Sequence, residues 1–331
     1  MIKIGINGFG RTGRCAMRIA MKNPGIQVVA INSRSDNQIM AHLLKYDSTY
    51  GIWPEEIRTE GQEIVVGQRR VKGYNFDDPA KIPWGEVQTD VVIESTGVFT
   101  SSRQSIVHIR GGAKKVIISA PTEDETKMVV LGVNEGIISN DDSIVSNASC
   151  TTNCLAPVVK VLDDKFKILS GFCSTVHAVT SDQQLLDKSH KDYRRARGAM
   201  ESIIPTTTGA TGAIGKIIPH LAGKLDGLAL RVPIPTVSLI DLSCLVESSV
   251  NKESLKAAFL EAENSYLKSY LETCDRPLVS ADFIGNPKSA IIDLLSLEVV
   301  DQMVKVIAWY DNEWGYSARL IDLAVYLQRF L

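Results

Sequence analysis

No run of about 18 apolar residues occurs in the chain, so no segment has the length that a membrane-crossing helix needs. Pro/Ser-rich linkers, internal repeats and low-complexity tracts are missing too, which points to closely joined domains. Cysteine is scarce, with six in 331 residues at wide spacing, too few for a disulfide framework. There is no Cys-x-x-Cys pair, no His-Glu-x-x-His and no ladder of carboxylates, so no metal is expected. A net charge of -2 supplies neither a basic field for nucleic acid nor an acidic tail. Met1–Gly5 runs straight into a strand without a signal peptide's charge pattern or cleavage site, and the cytosol is the expected compartment.

What is present is ordinary globular material, 44% hydrophobic and 22% charged, long enough for two cores. Short apolar runs at Ile2–Asn7, Ile26–Ile31, Asp90–Glu94, Lys115–Ser119, Met128–Leu131 and Ser143–Ser146 alternate with helical stretches such as Arg11–Met21 and Asn37–Lys45. That alternation predicts a parallel sheet with helices on both faces. Ile64-Val65-Val66 and Arg70-Val71 read as a hairpin inserted before the sheet resumes. Beyond Cys150 a helix leads into longer β-rich runs at Gly171–Thr180, Leu228–Pro233, Val237–Glu247, Leu278–Phe283 and Val304–Tyr310, with helices at Thr211–Ile218 and Lys252–Ser265. This predicts a mixed, largely antiparallel sheet with helices on one side. The expected division is 1–148 for the first domain and 149–314 for the second, with an amphipathic helix at 315–331 docking back on the first.

Gly8-x-Gly10-x-x-Gly13 follows the first strand and opens the first helix. In that setting the first glycine permits the tight turn and the second lets the backbone approach a pyrophosphate. The third lets helix and strand pack closely, with the phosphate on the helix's N-terminal amides. The expected fold is therefore α/β, a Rossmann-type doubly wound parallel sheet plus an α+β catalytic domain. A NAD site usually carries an Asp or Glu at the end of the second strand to hold the ribose diol. Here the chain reads Asn32-Ser33-Arg34-Ser35. Hydroxyls and a guanidinium suit a 2′-phosphate, which a carboxylate would repel; a solvent-facing polar turn is the plainer alternative.

Cys150 lies between a strand and a helix, where the first amides and the helix dipole are expected to lower its thiol pKa. A buried cysteine in a helix cap is the competing reading. His177 closes a predicted strand beside a polar turn and is the best placed of the five histidines to act as a proton shuttle. Thr180, Arg194-Arg195-Ala196-Arg197, Thr206-Thr207-Thr208-Gly209 and Arg231 enrich the second domain in anion-binding groups. Arg231 lies in an apolar strand and needs a partner, either an internal carboxylate or a bound phosphate.

The stretches "INGFGRTGR", "AHLLKYDSTYG", "STGVF", "SNASCTTNCLAPVVKVL", "HKDYRRARGA", "IIPTTTGATGA", "LRVPIPTVS" and "WYDNEWGYS" stand in the order seen in phosphorylating glyceraldehyde-3-phosphate dehydrogenases, and the whole chain resembles that family. The resemblance implies oxidation of a phosphosugar aldehyde through a Cys150 thioester, with His177 taking the proton and inorganic phosphate releasing an acyl phosphate. It implies substrate-phosphate contacts at Thr180 and Arg231, with Arg195 shared between two anion sites. Ser149, Thr151, Thr208 and Gly209 would hold the attacking phosphate. Arg11 and Thr12 would line the cofactor's pyrophosphate, Thr96 and Ser119 its nicotinamide half, and Asn312 and Tyr316 the carboxamide and ring. It also implies a homotetramer whose loop at about 178–203 reaches a neighbour's adenosine site.

The chain departs from the family at Thr12, Tyr50 and Gly212, where Ile, His and Lys are common, and at Asp77, where a cation is usual. Lys188-Ser189 replaces the Leu-Pro of NAD-specific members. In NADP-using members a serine at that place reaches the 2′-phosphate from the neighbouring subunit. NADP is thus the expected cofactor, with NAD as the second choice. Two other readings compete: an erythrose-4-phosphate dehydrogenase, which Thr180 and the Thr-Thr-Thr-Gly turn disfavour, and a redox-sensing or RNA-binding protein on the same fold, which the Cys/His pair and near-neutral charge disfavour.

Overall fold

The computed structural model describes residues 1–331, which form two compact units. The first comprises Met1–Val129, Gly136–Ala148 and Ser317–Leu331; the second comprises Val130–Glu135 and Ser149–Tyr316. Val130–Glu135, expected with the first domain, thus belongs to the second, where Gly132 packs on Leu267 and Tyr270.

In the first unit the chain runs β1 (Ile2–Asn7), α1 (Arg11–Ala20), β2 (Ile26–Asn32) and α2 (Asn37–Lys45), then the two-residue pair β3 (Tyr46–Asp47) and β4 (Gly51–Ile52). β5 (Ile57–Glu60), β6 (Glu63–Val66), β7 (Arg69–Tyr74), β8 (Val91–Glu94), α3 (Ser102–Arg110), β9 (Lys115–Ile118) and β10 (Ile144–Ser146) follow. The sheet order is β10-β9-β8-β1-β2-β7-β6-β5. Its first six strands are parallel, and β7, β6 and β5 are joined antiparallel. Nearly every residue of the central strands β1, β8 and β9 is buried, as a sheet covered on both faces requires. The expected hairpin exists, but its second arm β7 pairs with β2, so it extends the sheet's edge rather than interrupting it.

Strand order reverses at β1, between β2 and β8. The crevice at such a switch point, outside the carboxyl ends of the strands, is where doubly wound sheets bind ligands. The expected strand at Met128–Leu131 reduces to one bridge, Met128 to Ser146. The amide of Val130 goes instead to the side chain of Asn134, and Gly132 turns the chain at φ +85°.

In the second unit α4 (Cys150–Phe166) leads into β11 (Ile168–Ala178), β12 (Ile204–Thr207), α5 (Ala210–Ile217), β13 (Leu225–Val232), β14 (Ser238–Val246) and α6 (Lys252–Glu263). β15 (Leu271–Cys274), β16 (Ala290–Asp293), β17 (Glu298–Val300), β18 (Met303–Tyr310) and α7 (Trp314–Leu327) complete the order. The sheet runs β12-β13-β11-β14-β18-β16-β15, with β17 on β18, and is mixed as expected. β11 and β13 are parallel, placing His177 opposite Arg231. The expected strand at Leu278–Phe283 is instead a 3-10 turn over Ser280–Phe283, because Asp282 takes the Val279 amide that a ladder would need. α4 is held by a buried face that includes Cys154, Leu155, Val158, Val159 and Leu162. The terminal segment from Ser317 belongs to the first unit, where Ser317 donates to the Thr12 carbonyl at 3.3 Å. No helix is long and apolar enough to cross a membrane.

The β1–α1 turn is the tightest point of the first unit. Gly8 adopts φ +93°, and a Cβ on Gly13 would lie 2.2 Å from the Gly8 carbonyl oxygen. A Gly13→Ala chain is expected to lose about 3 kcal/mol of unfolding free energy, read as a lowered midpoint in urea denaturation followed by circular dichroism.

Candidate active site and dinucleotide cleft

A cleft of about 630 Å³ opens at the switch point, lined among others by Gly8, Gly10, Ser33, Arg34, Asp77 and Thr96. Gly10 fits a dinucleotide here: a Cβ on it would meet nothing within 4 Å, so the backbone presents an open cradle to a pyrophosphate. No side chain caps α1, which leaves its first-turn amides available to an anion. The Arg11 guanidinium is turned away to Asp47, at 2.6 Å, and lies over the Tyr50 ring. Thr12 is half-buried beside it.

Asn32 closes β2 with both amide hydrogens engaged. It donates to Asn7 Oδ1 at 2.8 Å and to the Phe76 carbonyl at 3.0 Å, and accepts the Phe76 N–H at 2.9 Å. Asn32 is therefore a strut of the cleft that it lines, with only further acceptor capacity at Oδ1 to offer a ligand. Ser33 and the exposed Arg34 and Ser35 follow it. Arg34 forms no ion pair, and the exposed Asp77 lines the same cleft.

Beneath the cleft lies a buried polar chain that the sequence pattern did not expose. The Trp84 indole, which can only donate, gives its N–H to His108 Nδ1 at 3.0 Å. His108 must then carry its proton on Nε2 and donates it to Glu94 at 2.9 Å. Asn7 donates to the same carboxylate oxygen at 2.6 Å, and the Thr96 amide and hydroxyl donate to the other. The Thr96 hydroxyl proton is thus committed to Glu94, leaving only acceptor capacity toward the cleft. Ser119 follows β9 with its amide on the Glu94 carbonyl at 2.9 Å. An acidic residue ending an apolar strand was the one available signal for Glu94.

In the second unit Cys150 is the first residue of α4, capped by Ser149, whose Oγ accepts the Thr152 amide at 3.0 Å. Cys150 Sγ lies 3.4 Å from His177 Nε2. Cys150 is half-buried, whereas the other five cysteines are buried. Burial pushes the Cys150 thiol up, against the opposing pull of Arg231 and of the Thr151 and Cys150 backbone amides. This corrects the expectation of a lowered thiol pKa: at this helix start desolvation outweighs the dipole. Burial and the Arg231 charge lower His177 to about 3, so its imidazole is neutral at physiological pH; in the tautomer that donates Nδ1–H to the Ala178 carbonyl at 2.7 Å, Nε2 faces Cys150 as a proton acceptor.

Arg231 Nη1 lies 2.7 Å from His177 Nδ1 and 3.1 Å from the Ala178 carbonyl. No carboxylate pairs with it, and its Nε is buried without a partner. The internal ion pair that sequence reasoning left open is absent. Thr180 donates through both amide and hydroxyl to Gln183, at 2.8 and 2.9 Å. Arg195 is ion-paired with Asp182 and donates to Thr206 at 2.9 Å, so any anion it binds competes with these partners. Arg197 pairs with Asp187 at 2.9 Å and braces the loop. Thr208 accepts the Ala210 amide at 3.2 Å, and Gly209 stands exposed at the uncapped start of α5.

Thr151 lies within 2.9 Å of Tyr310 Oη, as does Thr175, which donates to the Leu239 carbonyl at 3.0 Å. The direction is forced: Tyr310 donates to Thr175 and accepts from Thr151, so the Thr151 hydroxyl offers Cys150 and any nearby anion only an acceptor. Asn312 Oδ1 accepts from Ser238 at 2.9 Å, and Tyr316 is buried in the same unit. Lys188 and Ser189 are exposed on the 178–203 loop.

Residues 2–102 match the family model described as glyceraldehyde 3-phosphate dehydrogenase, NAD binding domain, and residues 149–312 match that of the C-terminal domain. The chain is 50% identical over 331 residues to glyceraldehyde-3-phosphate dehydrogenase 1 of Bacillus subtilis (strain 168), covering 99% of this chain and 98% of the relative. It is 50% identical over 337 residues to the glyceraldehyde-3-phosphate dehydrogenase of Mycobacterium avium, covering 100% and 99%. Against that of Geobacillus stearothermophilus it is 49% identical over 328 residues, covering 98% of each.

Because the Arg231 charge lowers the Cys150 thiol and depresses His177, an uncharged replacement acts on both with opposite consequences. Arg231→Met is expected to move the thiol pKa further up and the imidazole pKa up from about 3. The pH profile of iodoacetamide alkylation at Cys150 then shifts to higher pH; an unshifted or lowered profile would contradict this electrostatic account.

Proposed function

The chain belongs to the glyceraldehyde 3-phosphate dehydrogenase family, and on that footing we propose that it reversibly converts glyceraldehyde 3-phosphate and inorganic phosphate to 1,3-bisphosphoglycerate. The observation that carries this reading is the Cys150 Sγ to His177 Nε2 approach of 3.4 Å beside a guanidinium without a carboxylate partner. Cys150 sulfur adds to the aldehyde carbon, and its proton passes to the neutral His177. The imidazolium hands that proton to the developing alkoxide, which completes the hemithioacetal, and the neutral imidazole takes it back from the hydroxyl as the carbon is oxidised. A bound nicotinamide dinucleotide supplies the hydride acceptor for this step. Cys150 then holds the acyl group as a thioester until phosphate attacks the carbonyl carbon and the thiolate leaves, giving the acyl phosphate.

Arg231 and Thr180 hold the substrate's phosphate in this reading, with Arg195 shared. Ser149, Thr151, Thr208 and Gly209 hold the attacking phosphate. The commitment of the Thr151 hydroxyl proton to Tyr310 means that Thr151 receives a hydrogen bond from a protonated phosphate oxygen or rearranges, whereas Ser149 accepts the Thr152 amide as the α4 cap and keeps its own proton to donate. In the first unit the Gly10 cradle and the amides of Arg11 and Thr12 serve the pyrophosphate. Thr96 and Ser119, with Asn312 and Tyr316, serve the nicotinamide end.

NADP is the preferred cofactor in this proposal. Ser33 stands where a ribose-binding carboxylate would repel the 2′-phosphate, and Arg34 is exposed and unpaired at the cleft. Asp77 opposes this preference from the same cleft. We further propose a homotetrameric assembly, supported by the exposed Leu185, Leu186 and Tyr193 of the 178–203 loop. In that assembly Lys188 and Ser189 reach a neighbour's adenosine site.

Steady-state turnover of glyceraldehyde 3-phosphate and erythrose 4-phosphate, each with NAD and NADP, tests the reading. The expected result is a higher kcat/KM for glyceraldehyde 3-phosphate, dependent on phosphate, and a higher kcat/KM with NADP. Equal or better values with NAD would sink the cofactor preference without touching the rest. Removing one charge-assisted contact costs about 1.5–3 kcal/mol, so Arg34→Ala should lower kcat/KM for NADP at least roughly tenfold and leave NAD nearly unchanged. Asp77→Asn should move the ratio the other way.

A further inference from the structure

Val237 is a β-branched, fully buried residue held at φ +65°, a conformation such side chains avoid. Strain of this kind persists where the surroundings over-determine the backbone, and it marks places worth examining for function. The two residues flanking Val237 both carry hydroxyls, and both grip the turn that follows β18. Thr236 donates to Asp311 Oδ1 at 3.0 Å, and Ser238 donates to Asn312 Oδ1 at 2.9 Å. Asp311 is itself fixed by the amides of Gly285, Glu313 and Trp314, at 2.8, 3.0 and 2.9 Å. The Ser238 oxygen also accepts the Ala178 N–H at 3.1 Å, one residue beyond His177. Ser238 is 1% exposed and Asn312 8%.

This arrangement decides which way the Asn312 amide faces. The Ser238 hydroxyl accepts from Ala178, and its own proton needs an acceptor; Asn312 Oδ1 supplies one. The carboxamide of Asn312 therefore presents its two N–H groups away from Ser238, with no protein partner. We propose that Ser238 is a positioning residue for the cofactor. It locks Asn312 as a donor toward the carbonyl oxygen of the nicotinamide carboxamide, and ties that lock to the segment bearing His177. The proposal rests on the dehydrogenase reading above. Ser238 itself touches neither cofactor nor reacting atoms; it acts through Asn312.

Calorimetric binding separates this role from a general loss of structure. The titrants are the dinucleotide that the wild-type chain prefers and the matching ADP-ribose fragment, which lacks the nicotinamide. Ser238→Ala is expected to weaken dinucleotide binding about tenfold and fragment binding less than twofold. In an Asn312→Ala background, adding Ser238→Ala should change dinucleotide binding less than twofold, because the two residues act as one unit. Ser238→Cys, of similar shape with a weaker donor, gives an intermediate loss and serves if the alanine variant does not fold. Equal weakening of dinucleotide and fragment, or an undiminished Ser238 effect without Asn312, would overturn the proposal. A wild-type chain that binds the fragment but shows no turnover would instead overturn the dehydrogenase reading, while the binding cycle still tests Ser238 on its own terms.

Discussion

Arg231 is a half-buried cation with no carboxylate to neutralise it, and the reactive groups of the second unit are arranged in its field. A guanidinium withdrawn from water without a partner is costly, so its retention in an otherwise apolar strand asks for a compensating anion. Two candidates fit: the developing thiolate of Cys150 and a phosphate group brought by the substrate. Burial, reinforced by the same charge, keeps His177 neutral. Register makes this possible, since the parallel pairing of β11 with β13 sets His177 directly opposite Arg231. One strand pairing therefore fixes the relation between imidazole and guanidinium.

In the first unit the governing constraint is the satisfaction of a buried carboxylate. Glu94 receives donors from His108, Asn7 and Thr96, and each donor's own remaining group is accounted for in turn. The chain of bonds from Trp84 to Phe76 runs under the floor of the cleft and ends at Asn32, where β2 stops. Such a network rigidifies its surroundings only if every member is satisfied, and here every link from the indole to the Phe76 amide is made.

Both sheets, the glycine turn and the Cys150/His177 pair were legible in the sequence, because each writes a local pattern: alternation of strand and helix, glycines at fixed offsets, a cysteine at a helix start. What was not legible came from distance. Glu94, His108 and Trp84 are spread over 25 residues and meet only when β8 and α3 pack. Ser238 and Asn312 are separated by 74 residues and carry no local signature. The thiol's electrostatic balance was misjudged for the same reason, since the helix dipole is local whereas burial is a property of the whole fold. The strands expected at Met128–Leu131 and Leu278–Phe283 failed because side chains of Asn134 and Asp282 took amides that apolar composition alone assigns to a ladder.

The place where β2 stops has an evolutionary consequence. The sheet and its polar underlayer end at Asn32, while Ser33, Arg34 and Ser35 lie beyond it, tethered mainly through backbone groups: the Ser33 N–H on the Tyr74 carbonyl and the Ser35 carbonyl under the Asn75 amide. Their side chains are thereby made interchangeable parts, mounted on a frame that hardly registers their replacement. A lineage with this architecture can reshape the lip of its cleft by drift, with little toll on folding.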